Sequence, residues 1–359
     1  MGDTTDQLLK LAKSISSQPY GRELDMLMSS GEQISISLLS MALKERGFSA
    51  VSLTGFQAGI QTKGDYTKNR IKEIEINKIK KHLDDNKIVV VAGFQGINDS
   101  GDITTLGRGG SDTSAVGLAA KLQCRCEIYT DVEGIFTIDP RVFPQAQKIS
   151  QISYEEMLEM AGLGANVLEP RAVNLARKFN IPIYVASSQK QLNGTIIKER
   201  DLAMEEKSVT GITVNDDVLM VTINHIPNEI NNISEIFKQL ADQDINIDMI
   251  SQTPPSAGNI NISFTTTKDD LYFVKQVFNE IKDRIPQIEV STEDKIVKLA
   301  VVGIGMRNQS GVAAKIFKIF SEHRIEINQI TTSEISISYT INEKDKNKAI
   351  NQLANEFDL

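Results

Sequence analysis

The run Ile88-Val89-Val90-Val91-Ala92-Gly93-Phe94 carries no charge and is rich in β-branched residues. A short, uninterrupted apolar run reads as a strand buried on both faces, as in a parallel sheet. It is followed by Gly101-Asp102-Ile103-Thr104-Thr105-Leu106-Gly107-Arg108-Gly109-Gly110-Ser111-Asp112, and then by a small-residue helical pattern from Thr113 to Leu122. Upstream, helical patterns cover Met1 to Leu11 and Tyr20 to Met28. Ser29-Ser30-Gly31 predicts a break, and a long helix from Glu32 to Arg46 is expected to stop at Gly47. Ala50 to Leu53 is a short strand, and the charged stretch from Asn69 to Asp84 ends in a helix. Downstream, Glu127 to Thr130 and Ile181 to Ala186 are strands, while Tyr154 to Ala161 and Glu169 to Phe179 are helices. This alternation predicts an α/β fold, an open and mainly parallel sheet with helices on both faces.

The texture changes near Lys207. Strands at Val218–Ile223, Ile245–Ser251 and Ile260–Thr265 accompany helices at Ile233–Gln243 and Leu271–Ile281. The same order recurs with strands at Lys298–Val302, Ile325–Thr331 and Ile335–Tyr339, and helices at Gly311–His323 and from Lys344 onward. The wording recurs too: Asp244-Ile245-Asn246-Ile247 against Arg324-Ile325-Glu326-Ile327. This is an internal repeat of a ferredoxin-like βαββαβ unit. Such repeats behind an α/β domain point to regulation or dimerisation.

A chain of 359 residues has room for two or three domains. Its formal net charge is −8, with no basic stripe to neutralise phosphates, which argues against a nucleic-acid partner. Cys124 and Cys126 lie too close for a relaxed disulfide and lack the further ligands of a metal site, so both read as reduced thiols. No apolar run reaches membrane-spanning length and the N-terminus has no secretory pattern, so a cytoplasmic protein is expected.

The glycine segment is the richest in chemistry. Glycines let backbone N–H groups approach an anion, and a helix N-terminus favours negative charge. Arg108 offers a planar fork for a carboxylate or phosphate, and Asp112 could hold a cation or orient donors. The same residues also allow a plain glycine turn with a helix cap. Elsewhere, Glu32 reads equally as a first-turn carboxylate, and Asp139-Pro140 as a turn pair.

At Leu106 to Asp112, reading LGRGGSD, the sequence resembles the aspartokinases. The resemblance extends through Gly21–Ser37 (GRELDMLMSSGEQISIS), Thr54–Ile60 (TGFQAGI), Gly93–Gly96 (GFQG), Tyr129–Arg141 (YTDVEGIFTIDPR) and Gly162–Ala172 (GLGANVLEPRA). The repeat resembles that family's paired ACT domains, with Val301–Ala314 (VVGIGMRNQSGVAA) opening the second. The resemblance implies an amino-acid kinase domain over residues 1–206, a first ACT domain over 207–292 and a second over 293–359, the last completed by a strand at 209–214. It implies transfer of phosphate from ATP, with Mg²⁺, to the β-carboxylate of L-aspartate, at the head of lysine, threonine and methionine synthesis. It implies that Thr5, Glu32, Phe94, Arg108 and Ser111 line the aspartate pocket, with Arg108 on the α-carboxylate and Glu32 on the ammonium group. Asp112 would organise phosphoryl transfer. Thr130, Asp131, Phe136, Asp139, Arg141 and Asn166 would hold ATP. Lysine or threonine, as effector, would meet Asn246, Ile247, Gln252, Asn328 and Gln329 in a homo-oligomer built through the ACT domains.

The chain also departs from the family pattern. Aspartokinases open with a strand bearing a Lys-Phe-Gly-Gly-Thr-Ser type motif, a helix and a second strand. This chain opens at the segment that follows them, so Met1 is expected to correspond to an internal methionine of a longer protein. Asn166 stands where a lysine is common, Phe56 where a tryptophan is common, and the loop Ile226–Ile233 lacks the usual glycine. These departures motivate an alternative, a catalytically inactive regulatory subunit that senses amino acids. A kinase for another small acid is a third reading.

Overall fold

The computed structural model describes residues 4–165, 167–200 and 207–359. These divide into two units: residues 4–135, 149–161 and 167–200 in the first, and 136–148, 162–165 and 207–359 in the second.

In the first unit, α1 (Thr4–Ile15) packs on α2 (Arg22–Glu45). The predicted break at Ser29-Ser30-Gly31 does not occur, because α2 is continuous. The Ser29 and Ser30 hydroxyls donate to the Met26 and Leu27 carbonyls one turn back (2.8 and 2.7 Å), so they serve the helix instead of competing with it. Gly31 is small because α1 crosses there: a Cβ would sit 3.4 Å from Thr4 Cγ2 and 3.6 Å from Leu8 Cδ1. The helix does stop at Gly47, where the Gly47 and Phe48 N–H groups bond back to the Lys44 and Leu43 carbonyls (2.9 and 3.0 Å).

Next come β1 (Ala50–Leu53), β2 (Ile60–Lys63), β3 (Arg70–Ile74), α3 (Asn77–Asp84) and β4 (Ile88–Val91). β4 pairs in parallel with β1, from Ala50↔Ile88 to Leu53↔Val91. Leu53, Ala58, Ile60, Ile74 and Ile79 form the core beneath. The apolar run leaves strand geometry after Val91, and a hairpin of β5 (Gln95–Ile97) and β6 (Ile103–Thr105) follows. It completes a sheet of order β3-β2-β5-β6. The glycine segment therefore begins in an antiparallel hairpin, not at the carboxyl end of a parallel strand. Asn98 makes the turn, its side-chain oxygen accepting from the Ser100 and Asp102 N–H groups (3.0 and 2.9 Å).

Then follow α4 (Gly110–Leu122), β7 (Cys126–Thr130), β8 (Gln151–Ser153), α5 (Tyr154–Gly162), α6 (Pro170–Phe179), β9 (Ile183–Ser187) and β10 (Thr195–Lys198). Their sheet has the order β7-β9-β10-β8, with β7–β9 and β8–β10 parallel and β9–β10 antiparallel. Burial pushes the Cys126 thiol up to about 12, so it is inert core, while Cys124 is exposed.

The second unit holds two modules of one plan. β12 (Leu219–Pro227), α7 (Ile230–Asp242), β13 (Ile250–Gln252), β14 (Asn259–Thr266), α8 (Leu271–Arg284) and β15 (Glu289–Glu293) follow β11 (Gly211–Asn215), and they form an antiparallel sheet of order β13-β14-β12-β15. Val221, Ile223, Leu240, Phe264, Val274 and Phe278 fill its core against α7 and α8. The strand expected over Ile245–Ser251 is confined to β13. Ahead of it, the chain stays tied to β14 at Thr265: the Asp248 N–H bonds to the Thr265 carbonyl (2.9 Å) and the Thr265 N–H to the Met249 carbonyl (3.0 Å), while the Thr265 hydroxyl accepts from the Met249 N–H (3.0 Å) and the Thr266 hydroxyl donates to the Asn246 carbonyl (2.9 Å). β16 (Ile296–Val302), α9 (Val312–Glu322), β17 (Ile327–Thr332), β18 (Ser336–Asn342) and α10 (Lys346–Phe357) form the second module. Its sheet order is β11-β16-β18-β17, so β11 is supplied from ahead of the first module. Residues 136–148 join this module, burying Ile138 and Phe143 among Ile212, Val297, Leu299 and Phe320. Among the described residues no helix is long and apolar enough to cross a membrane.

Candidate active site

The glycine segment turns sharply into α4. Gly109, at φ +63°, is the residue before the helix, and a Cβ there would lie 2.4 Å from Glu169 Cβ. At Gly110 a Cβ would meet Leu106 Cβ at 2.8 Å and Phe94 Cδ2 at 2.9 Å. Both positions demand glycine, the first for its left-handed backbone and the second for close approach. Phe94 itself adopts φ +66°, a costly conformation for an aromatic residue. It is held by a bond from its N–H to Ser114 Oγ (2.9 Å) and one from the Leu106 N–H to its carbonyl (2.8 Å). Strain maintained in this way is characteristic of ligand-facing backbone.

Glu32 and Ser111 line one cavity of about 370 Å³ with Ser35, Ile36, Gly93 and Ser114. Glu32 is half-buried, and its Oε2 has no hydrogen-bond partner among the described residues. Burial pushes its carboxyl above the ordinary value, opposed by a backbone hydrogen bond. Asp112, in the first turn of α4, is likewise raised by burial, eased by a hydrogen bond from the Glu169 backbone. Arg108 is exposed and makes no hydrogen bond or ion pair to any described residue. Thr5 is exposed in the first turn of α1.

A half-buried carboxylate with one oxygen unpartnered opposes folding in its charged form. Raised folded-state pKa values mean that the folded protein binds more protons than the unfolded chain as pH rises through the carboxylate range. Stability therefore falls across that window and stays lower above it. Glu32→Gln is accordingly expected to melt higher than the parent at pH 7. A relief on the order of 1 kcal/mol corresponds to roughly 2–4 °C. The gap should close below the ordinary carboxyl value of 4.5, where both side chains are neutral. Melting curves at several pH values check this.

The residues expected to hold nucleotide fall in both units. In the first, Thr130 ends β7 and donates its hydroxyl to the exposed Asp131 (3.0 Å). In the second, Asp139 accepts from the Arg141 backbone N–H (2.8 Å) and pairs with its guanidinium (2.7 Å), which holds the carboxyl below its usual range. Phe136 bridges to Lys148. Asn166 lies outside the described residues. Of the residues expected to meet an effector, Asn246 and Gln252 are exposed and Ile247 packs on the first module's core. Asn328 lines a cavity of about 280 Å³ with Met220, Thr222, Glu293 and Asn342. Gln329 is buried and donates to Ser251 Oγ (3.1 Å) and the Ser263 carbonyl (3.2 Å), tying β17 to the first module.

Two residues absent from the expected set hold the glycine segment. Asp25 is fully buried beneath it, and Arg171 donates to the Leu106 and Asn69 carbonyls (2.7 and 3.0 Å). The signal for Asp25 was a lone carboxylate inside the apolar stretch Leu24-Asp25-Met26-Leu27-Met28.

Comparison with known proteins agrees with this architecture. The amino acid kinase family model matches residues 1–187 and an ACT domain model matches residues 299–357. An aspartokinase of Bacillus sp. (strain MGA3) is 46% identical over 360 residues, covering 100% of this chain and 88% of its own length. Aspartokinase 2 of Bacillus subtilis is 45% identical with the same coverage. The solved structure of E. coli aspartokinase III in complex with aspartate and ADP superposes with a TM-score of 0.77, at 24% identity, covering 99% of this chain and 80% of that one.

An α/β unit with a glycine-framed helix start, followed by ACT-type modules, defines an amino-acid kinase with regulatory domains. The chain belongs to the aspartokinase family. It is an aspartate kinase, an ATP-using phosphotransferase of amino-acid biosynthesis, and identity sustained over the full chain favours this over an inactive regulatory subunit.

Proposed function

We propose that the cavity lined by Glu32 and Ser111 receives L-aspartate. The observation that carries this reading is Glu32 Oε2, a buried oxygen without a partner, in a cavity it shares with Ser111 from the start of α4. A substrate ammonium would satisfy it, and binding would return part of the cost of its burial. The unpartnered fork of Arg108 takes the α-carboxylate. Phe94, Ser111 and Thr5 complete the pocket, and the β-carboxylate is left free to attack the terminal phosphate of ATP. The attack brings two anions together, so catalysis consists of positioning and charge neutralisation. Backbone N–H groups at the α4 N-terminus supply part of that positive field, and Asp112 orients the donors around it.

ATP is assigned to Thr130, Asp131, Phe136, Asp139, Arg141 and Asn166. Among the described residues no group of three or more His, Cys, Asp or Glu is gathered as a metal cage. Mg²⁺ that arrives on nucleotide phosphates needs only one or two carboxylates, a demand that the exposed Asp131 fits. When bound it would neutralise phosphate charge. The assigned domains are 1–206 for the kinase and 207–292 and 293–359, with 209–214, for the two ACT domains. Asn246, Ile247, Gln252, Asn328 and Gln329 are assigned to lysine or threonine in a cytoplasmic homo-oligomer. The effector acts by binding one arrangement better than another.

The test is ATP-dependent acyl hydroxamate formation with aspartate, glutamate and acetylglutamate compared side by side, with lysine and threonine titrated into the aspartate reaction. Turnover confined to aspartate and lowered by one of the two effectors is expected. A preference for either other acid would overturn the pocket assignment.

A further inference from the structure

Asp25 contributes nothing to the cavity just described, yet it is completely buried on α2. Its carboxylate collects hydrogen bonds from two distant segments. The Thr67 N–H lies 3.0 Å from both of its oxygens. The Thr105 N–H donates at 3.0 Å and the Thr105 hydroxyl at 2.5 Å. Four contacts to one carboxylate, with no cationic partner among them, form an anion site built from neutral donors.

What Asp25 holds bears directly on the glycine segment. Thr67 adopts φ +68°, which for a β-branched residue is a true outlier. Its carbonyl abuts Gly107, where a Cβ would fall 2.9 Å from that oxygen. Thr105 is the last residue of β6, two positions before Gly107 and three before Arg108. The Asn69 N–H bonds to the Thr105 carbonyl (3.1 Å) and so ties the two segments together. Arg171 grips the same pair from their carbonyl side, at Leu106 and Asn69. The backbone that presents Arg108 is thus clamped between a buried anion on its N–H groups and a cation on its carbonyls.

We propose that Asp25 is a positioning residue for aspartate binding: through the strained Thr67 turn and the Thr105 end of β6 it fixes the backbone from which Arg108 reaches the substrate carboxylate. This rests on the assignment of Arg108 to aspartate. A displacement of about 1 Å in such a frame can cost a hundredfold in rate constant, and the loss should fall on aspartate alone, since Asp25 holds no segment assigned to ATP.

The experiment compares Asp25→Asn, Thr105→Val, Thr105→Ser and Arg108→Ala in the full chain, measuring kcat, both KM values and the melting temperature. Thr105→Val removes the shortest bond to Asp25 while keeping the side chain's shape. Thr105→Ser restores that bond and serves as the rescue. The expected result is a rise in aspartate KM of about tenfold for Thr105→Val and about thirtyfold or more for Asp25→Asn. KM for ATP should stay within about twofold, and Thr105→Ser should return near the parent. Equal rises in both KM values, or a lowered melting temperature with parental aspartate KM, would show a merely structural role and overturn the proposal. Should Asp25→Asn fail to fold, the Thr105 pair decides. An Arg108→Ala variant with parental aspartate KM would instead remove the underlying assignment, and the proposal with it.

Discussion

Replacing Arg108 by alanine is expected to lower kcat/KM for aspartate by about three orders of magnitude, with the thermal midpoint within roughly 2 °C of the parent. The stability half follows from exposure and from the absence of any described partner: nothing in the fold is anchored by this guanidinium. The activity half follows from a bidentate, charge-assisted contact, in which each bond contributes about 1.5–3 kcal/mol. Losing about 4 kcal/mol in transition-state binding is close to a thousandfold. Arg108→Lys keeps the charge but not the fork, so a loss of roughly ten- to a hundredfold is expected. KM for ATP should not move by more than about twofold. Steady-state kinetics with each substrate varied in turn checks all three statements. If kcat/KM for aspartate fell by less than about threefold in Arg108→Ala, the guanidinium would be a solvated surface group, and the carboxylate would have to be bound elsewhere.

What the chain revealed before its structure was seen depended on how local each signal is. The strand at Ile88–Val91, the Gly47 stop and the helix behind LGRGGSD are set by residues next to one another, and they were legible, although the strand is not buried on both faces as expected: Ile88 is exposed and Val89 to Val91 are only partly covered. The β-α-β-β-α order was legible because it is written twice, while the fourth strand is β15 in the first module and β11, from ahead of that module, in the second. The continuity of α2 through Ser29-Ser30-Gly31 was not: serine and glycine there look like a breaker until α1 is seen crossing at Gly31. The β5–β6 hairpin was hidden because each strand has three residues. Of the strand expected over Ile245–Ser251 only the end at β13 pairs regularly; at Asp248 and Met249 the backbone bonds all fall on one residue of β14, Thr265, an irregularity that the local sequence does not announce. Within the site, Glu32 and Ser111 line one cavity, whose lining does not include Thr5, Phe94 or Arg108. The clamp on the glycine segment could not be read, because Asp25 meets its partners 42 and 80 positions away. Nor does spacing reveal that residues 136–148 pack into the core of the second module.

That module carries a second feature with a large expected effect. Lys298 is 1% exposed in the middle of β16, on the sheet face opposite the apolar core, and its ammonium pairs with Asp248 of the first module. Its cross-strand neighbour Thr340, and Thr213 opposite Ala300, bury hydroxyls that have no partner among the described residues. This face is therefore polar, and the ion pair links it to the first module. Removing one partner of such a pair strands the other charge, which costs about 3–5 kcal/mol in a fully buried setting. Asp248 is 47% exposed, so water screens part of the pair, and the lower end of that range applies. Asp248→Ala is thus expected to lower the melting temperature by roughly 6–12 °C, given about 2–4 °C per kcal/mol for a unit of this size. Lys298→Met, which fills the same space without a charge, should be neutral or stabilising by about 1–4 kcal/mol. Adding Lys298→Met to Asp248→Ala should recover most of the loss, because the stranded ammonium is then gone. Calorimetry on the two single variants and the double variant reads all of these effects. A double variant no more stable than Asp248→Ala would mean that the loss comes from packing around Asp248. In that case the buried ammonium would already be solvated through the half-open side of the pair.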